Sequence, residues 1–203
     1  MLLRHWTCCL LVAVALTPVA ATAQVNVDCN SGQSLQDAIT GMNPWNANVI
    51  NVTGTCNETV VVSGFRDLLI KGSGGATIHP PLLLNGQPAY LAMSVVAGSN
   101  VRLCGLTLEG ARTGLAVTAS QVQAGSFCGG GNNYLVVKDG ETGIALTENA
   151  AFTANLGQGL VVENQAVRGI YVNASRLHLQ GYSDLPLTAK TRIRNNGSSP
   201  DAP

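Results

Sequence analysis

The sequence predicts an all-β chain, a parallel β-helix solenoid of about five or six coils with a helix at its N-terminal end. Three observations predict it. A segment recurs: "LTLEGARTGLAV" (106–117), "LVVKDGETGIAL" (135–146) and "LVVENQAVRGIYV" (160–172) share one pattern. Their leading leucines, Leu106, Leu135 and Leu160 with a degenerate fourth at Leu185, lie 29, 25 and 25 residues apart, and Gly114, Gly143 and Gly169 lie 29 and 26 apart. Within each copy, apolar and polar residues alternate with period two, which is strand patterning with one buried face. The apolar bursts are also too short for helices of ordinary length.

The elements follow in chain order. Arg4, the apolar run "CCLLVAVAL" (8–16) and the small residues of "ATA" (21–23) have the layout of a secretory leader, cleaved after Ala23. Residues 1–23 are therefore read as a signal peptide, 24–46 as an N-terminal cap segment and 47–203 as solenoid coils. The expected location is secreted: periplasm, cell surface or medium. Beyond the leader no run of about 18 apolar residues occurs, so no membrane span is expected.

Removing 23 of the 203 residues leaves 180, with 10 Lys+Arg against 11 Asp+Glu. That balance, without a basic cluster, argues against nucleic acid as a partner. Charged residues are only 11% of the chain, whereas Gly numbers 23, a composition suited to short strands and turns. In an oxidising compartment the remaining Cys29, Cys56, Cys104 and Cys128 are expected to form two disulfides. Of three possible pairings the local one is favoured, Cys29–Cys56 with Cys104–Cys128. No CxxC pair or ligand-spaced His accompanies them, so no metal site is expected.

In "SLQDAITGM" (34–42), Leu35, Ala38, Ile39 and Met42 mark one face of an amphipathic helix. Ser34 with Asp37 resembles a capping box, and Gly41 is the expected stop. This helix would cover the open end of the solenoid, with Cys29–Cys56 tying it to the first coil. Strands are expected in 48–56, 59–64, 68–72 and 76–78. Segments 80–90 and 125–133 read as insertions, the second accounting for the single 29-residue interval. In the repeats Leu106 and Leu108, Leu135 and Val137, Leu160 and Val162 point inward. So do Leu115 and Val117, Ile144 and Leu146, Ile170 and Val172. A third burst supplies Val122, then Phe152 and Ala154, then Leu177 and Leu179. Gly143 and its counterparts are expected to turn the chain. The ending "TRIRNNGSSPDAP" stops in mid-pattern, which suits either a frayed last coil or the front of a longer rod.

Residues 27–78 carry a resemblance. A Cys, a "GQSLQDAI" helix, "INVTGTC", "LLIKG" and "ATI" follow one another as in the opening of bacterial secreted proteins of the pectate-lyase-like superfamily. "NVRLCGLTLEG" (100–110) resembles a typical next coil. The resemblance implies a single-stranded right-handed parallel β-helix. For activity it implies several alternatives, since the superfamily holds lyases, glycoside hydrolases, esterases, adhesins and proteins without a known reaction.

Chemistry on such a rod would sit at outward positions of successive coils. The first-strand column reads Glu109, Lys138, Glu163 and then Thr188. As a catalytic site it would use Lys138 as base between two carboxylates; as a surface feature it is an ion-pair ladder. A cation between two carboxylates makes a poor Ca²⁺ cage, so no cofactor is expected, with Ca²⁺ implied only for a lyase. The second-strand column reads Ala116, Ala145 and Tyr171, beside Thr118, Thr147 and Asn173. There Tyr171 could stack on a sugar ring while the hydroxyls and amide hydrogen-bond to it. Lone His178 reads as surface, and His79 has no evident partner. The expected function is a non-catalytic extracellular or cell-surface module that binds polysaccharide along this face. The alternative is a polysaccharide lyase or glycoside hydrolase, intact or as an N-terminal fragment.

Overall fold

A computed structural model describes residues 22–125, 134–155, 159–180 and 191–197. In chain order the elements begin with β1 (Ala23–Asp28), a 3₁₀ turn (Cys29–Ser31), α1 (Leu35–Thr40), β2 (Ala47–Cys56), β3 (Val60–Ser63) and β4 (Asp67–Ile78). Then come β5 (Ala89–Val96), β6 (Asn100–Cys104), β7 (Leu106–Glu109), β8 (Ala111–Thr118) and β9 (Gln121–Gly125). The last are β10 (Leu135–Lys138), β11 (Thr142–Thr147), β12 (Ala151–Asn155), β13 (Leu160–Glu163), β14 (Arg168–Val172), β15 (Arg176–Leu179) and β16 (Arg192–Arg194). Every strand pairing among them is parallel.

The strands form two sheets. The smaller orders as β3, β5, β8, β11, β14. The larger curls on itself because it forks at β4. Leu68–Lys71 of that long strand pair with β6, and Thr77–Ile78 pair with β7. One branch continues through β9 and β12 to β15, the other through β10 and β13 to β16. On the other flank of β4 lie β2 and then β1. The stretches 68–72 and 76–78, expected as separate strands, are thus one element.

The repeat fixes the register as expected. Leu135 partners Leu106 on one side and Leu160 on the other, Leu115 partners Ile144, and Val122 partners Phe152. These residues all face one core. Fully burying such a side chain contributes about 1.5–3 kcal/mol, so each column adds to the stability at every strand.

Two expectations need correction. The partner of Glu163 is Arg194, six residues beyond the position that a 25-residue spacing selects. A spacing set by core leucines does not count the residues between strands; Leu185 and Thr188 lie outside the described residues. Second, Gly114, Gly143 and Gly169 do not turn the chain, because none has a left-handed φ. They recur because the neighbouring strand comes close. A Cβ on Gly143 would strike the Gly169 carbonyl oxygen and the Val162 side chain. The left-handed bends fall instead on Asp139 (φ 58°) and Asn164 (φ 58°), and on Ala119, Asn149 and Ala174.

At the N-terminal end α1 buries Leu35 and Ile39, with Ala38 and Met42 packed beside them. Ser34 caps it, its Oγ accepting from the Asp37 N–H at 3.0 Å. The Cys29–Cys56 disulfide is present, with Cα atoms 4.9 Å apart. Cys104 is buried and takes part in a disulfide; its expected partner, Cys128, lies outside the described residues. No helix among the described residues is long and apolar enough to cross a membrane. Residues 1–21 also lie outside them, and β1 starts at Ala23, the last residue of the expected leader.

Candidate functional site

The outward column of the β7 branch collects the expected charged residues. Parallel pairing places Glu109 beside Lys138, Lys138 beside Glu163, and Glu163 beside Arg194. Lys138 Nζ lies 2.8 Å from Glu109 Oε2 and 3.4 Å from Asp139 Oδ2. Glu163 Oε2 instead accepts from Arg194, with Nε at 2.8 Å and Nη2 at 2.7 Å. His79 Nδ1 stands 3.6 Å from Glu109 Oε1. The column is therefore two separate ion pairs with an imidazole at one end.

Its electrostatics bear on the chemistry. The hydrogen bond that Lys138 donates to Glu109 is the main cause that raises its pKa above the ordinary 10.5. The charges of Glu109 and Asp139 add to it, while partial burial opposes it. A lysine base needs the reverse shift, toward the working pH. Both carboxylates already have a cation in contact, which offsets the negative charge that a Ca²⁺ site needs. Arg194 completes the second pair, and the spacing rule that selected Thr188 could not find it.

The outer face of the smaller sheet holds the second set. Tyr171 partners Ala145, Ala145 partners Ala116, and Ala116 partners Ser94. Two residues along each strand, Thr118 and Thr147 stand in register, their hydroxyls 3.0 Å apart. Asn173 follows, its N–H donating to the Leu146 carbonyl at 2.9 Å and its side chain exposed. Thr118, Thr147 and Tyr171 therefore occupy three adjacent strands, and Asn173 directly follows the last of them. Small side chains between them leave that face flat, and Tyr171, 37% exposed, stands at its edge.

The structure adds an element absent from the sequence reading. The Arg168 guanidinium lies over the Tyr171 ring, 5.1 Å from its centroid, and Arg112 lies over Tyr90 at 5.2 Å. Tyr90 is the second residue of β5 and is 65% exposed. Arg112 also approaches Glu141, Nε to Oε1 3.7 Å. Cation–π stacking holds each ring with one face against a guanidinium. Arg168 and Tyr171 stand three apart on β14, an interval that strict alternation sets on opposite faces, so spacing carried no signal for their contact. No spacing could reveal the Tyr90–Arg112 pair, because it crosses strands.

One carboxylate near metal-ligand geometry is already used. Glu58 lies close to Cys29 and Cys56, but both sulfurs are in the disulfide. Its oxygens accept from the Leu35 N–H at 2.6 Å, the Gln36 N–H at 3.2 Å and the Ser34 hydroxyl at 2.7 Å. It is a remote anion at the first turn of α1, a favourable place for negative charge. Neither a scan against protein-family models nor a search of curated proteins finds a match to this chain.

Proposed function

We propose that this chain is a secreted, right-handed parallel β-helix of the pectate-lyase-like kind. It acts without catalysis, as an extracellular or cell-surface module that binds polysaccharide along the outer face of its smaller sheet. The observation that carries the non-catalytic reading is the neutralised charge column: Lys138 is held as a cation by Glu109, and Glu163 is taken by Arg194. The binding reading rests on the flat row between Ser94 and Tyr171, with Thr118, Thr147 and Asn173 supplying hydroxyl and amide groups beside the ring. The solenoid reading rests on three series of parallel strands around one core, each advancing by one repeat.

The test is glycan-array binding alongside a turnover assay on polygalacturonate and related glycans, with and without Ca²⁺, read by unsaturated product and new reducing ends. Binding lost in Tyr171→Ala, with no turnover by the native protein, is the expected result. Turnover abolished by Lys138→Ala or Glu163→Ala would overturn it in favour of a lyase or hydrolase.

A further inference from the structure

The apolar columns of the core do not all end under cover. Val62, Val95, Val117 and Leu146 are consecutive partners and fully buried; the next member, Val172, is 41% exposed. Ile70, Leu103, Ala124 and Ala154 behave alike until Leu179, 37% exposed. Ile78, Leu108, Val137 and Val162 lead to Ile193, 45% exposed. Among the described residues all three series reach their last members on β14, β15 and β16. Each of these strands has a neighbour on one side only among the described residues. Three apolar side chains beside unpaired strand edges are a surface that natural sheets normally cover.

Charge points to what covers it. Residues 22–65 hold Asp28, Asp37 and Glu58 and no Lys or Arg, so the N-terminal end is acidic. Residues 163–197 hold five cations and two carboxylates, one of which, Glu163, is paired with Arg194, so this end keeps a net positive charge. Four of those cations are Arg168, Arg176, Arg192 and Arg194, all on the last three strands. At the opposite end of the molecule β1 also leaves an edge unpaired, next to the exposed carboxylates of Asp28 and Asp37. Two basic ends would repel each other, whereas a basic end matches an acidic one. Head-to-tail docking also keeps every strand parallel across the junction.

We propose that the β14–β15–β16 end docks onto the β1 end of a second copy of this chain. The contact is heterologous, so it repeats and gives open, linear assemblies rather than a closed dimer. It is independent of the glycan reading.

The experiment is sedimentation velocity of the full chain, as secreted, over a concentration series at low and high salt. Weight-average mass should rise continuously with concentration and fall as salt screens the opposed ends. Asp37→Lys reverses charge at one end and Arg176→Glu at the other; each alone should weaken association by roughly tenfold or more. An equimolar mixture of the two variants should regain it, because each then offers an end complementary to the other, and a misfolded variant could not produce that recovery. A monomer at every concentration, a salt-insensitive closed dimer, or a mixture no better than its parts would overturn the proposal.

Discussion

The two ends of the core are built from the same repeating columns and finished differently. At the N-terminal end β1 covers β2, α1 lays Leu35 and Ile39 against the core, and the Cys29–Cys56 bridge holds the segment down. At the other end the last described members of the columns, Val172, Leu179 and Ile193, are 41%, 37% and 45% exposed. Repetition therefore specifies the inside of this molecule but not its boundary. A column has no built-in end, and closing one takes sequence that breaks the repeat, as 24–46 does.

The largest expected effect compares two members of one column. Leu146→Ala should cost about 2–5 kcal/mol in urea unfolding, because it empties space inside a close-packed core. Val172→Ala, one strand further along, should cost under about 1 kcal/mol in dilute solution, since its side chain is partly hydrated already. Equal losses at both positions would show that the open end is covered even in the monomer. A loss at Val172 that grows with protein concentration would fit the head-to-tail contact.

Next in size is the closure of the N-terminal end. Glu58→Ala removes the acceptor for two helix N–H groups and the Ser34 hydroxyl. A loss of about 1–3 kcal/mol is expected, together with faster hydrogen exchange at the Leu35 and Gln36 amides. Unchanged exchange at those amides would assign the closure to the disulfide and apolar packing alone.

The smallest effect is at the charge column. Lys138→Met should cost at most about 1 kcal/mol, as for other partly exposed pairs. The Lys138 pKa is raised in the folded chain, so its contribution is fully present below the ordinary lysine value of 10.5 and lost as pH rises through the folded value. The stability gap between native protein and variant should therefore stay level through neutral pH and close only in alkali. A gap that closes near neutrality would mean that Lys138 titrates there, and would reopen its reading as a base.

Much of this was legible in the residues. Period-two alternation named the buried members of β7, β8, β10, β11 and β13, and the i, i+3, i+4, i+7 spacing placed α1. Cys29–Cys56 followed from locality. Glu109, Lys138 and Glu163 were correctly set on one column because a parallel register preserves the spacing of the repeat. Arg194 was missed because residues between strands add length without altering the core. His79 beside Glu109 was missed because the two meet across strands 30 residues apart in sequence. Gly143 was assigned to a turn, when the constraint is the approach of the Gly169 carbonyl from the next strand.

What the sequence alone determined is what repeats: strand type, the inward and outward faces, and the order in which equivalent strands pair. These follow from local alternation and a fixed period. Only the tertiary structure decided which charges meet, why the glycines recur, how Glu58 reaches α1, and where the columns run out of cover. Each of these depends on a distance between segments remote in the chain, and no local pattern contains it.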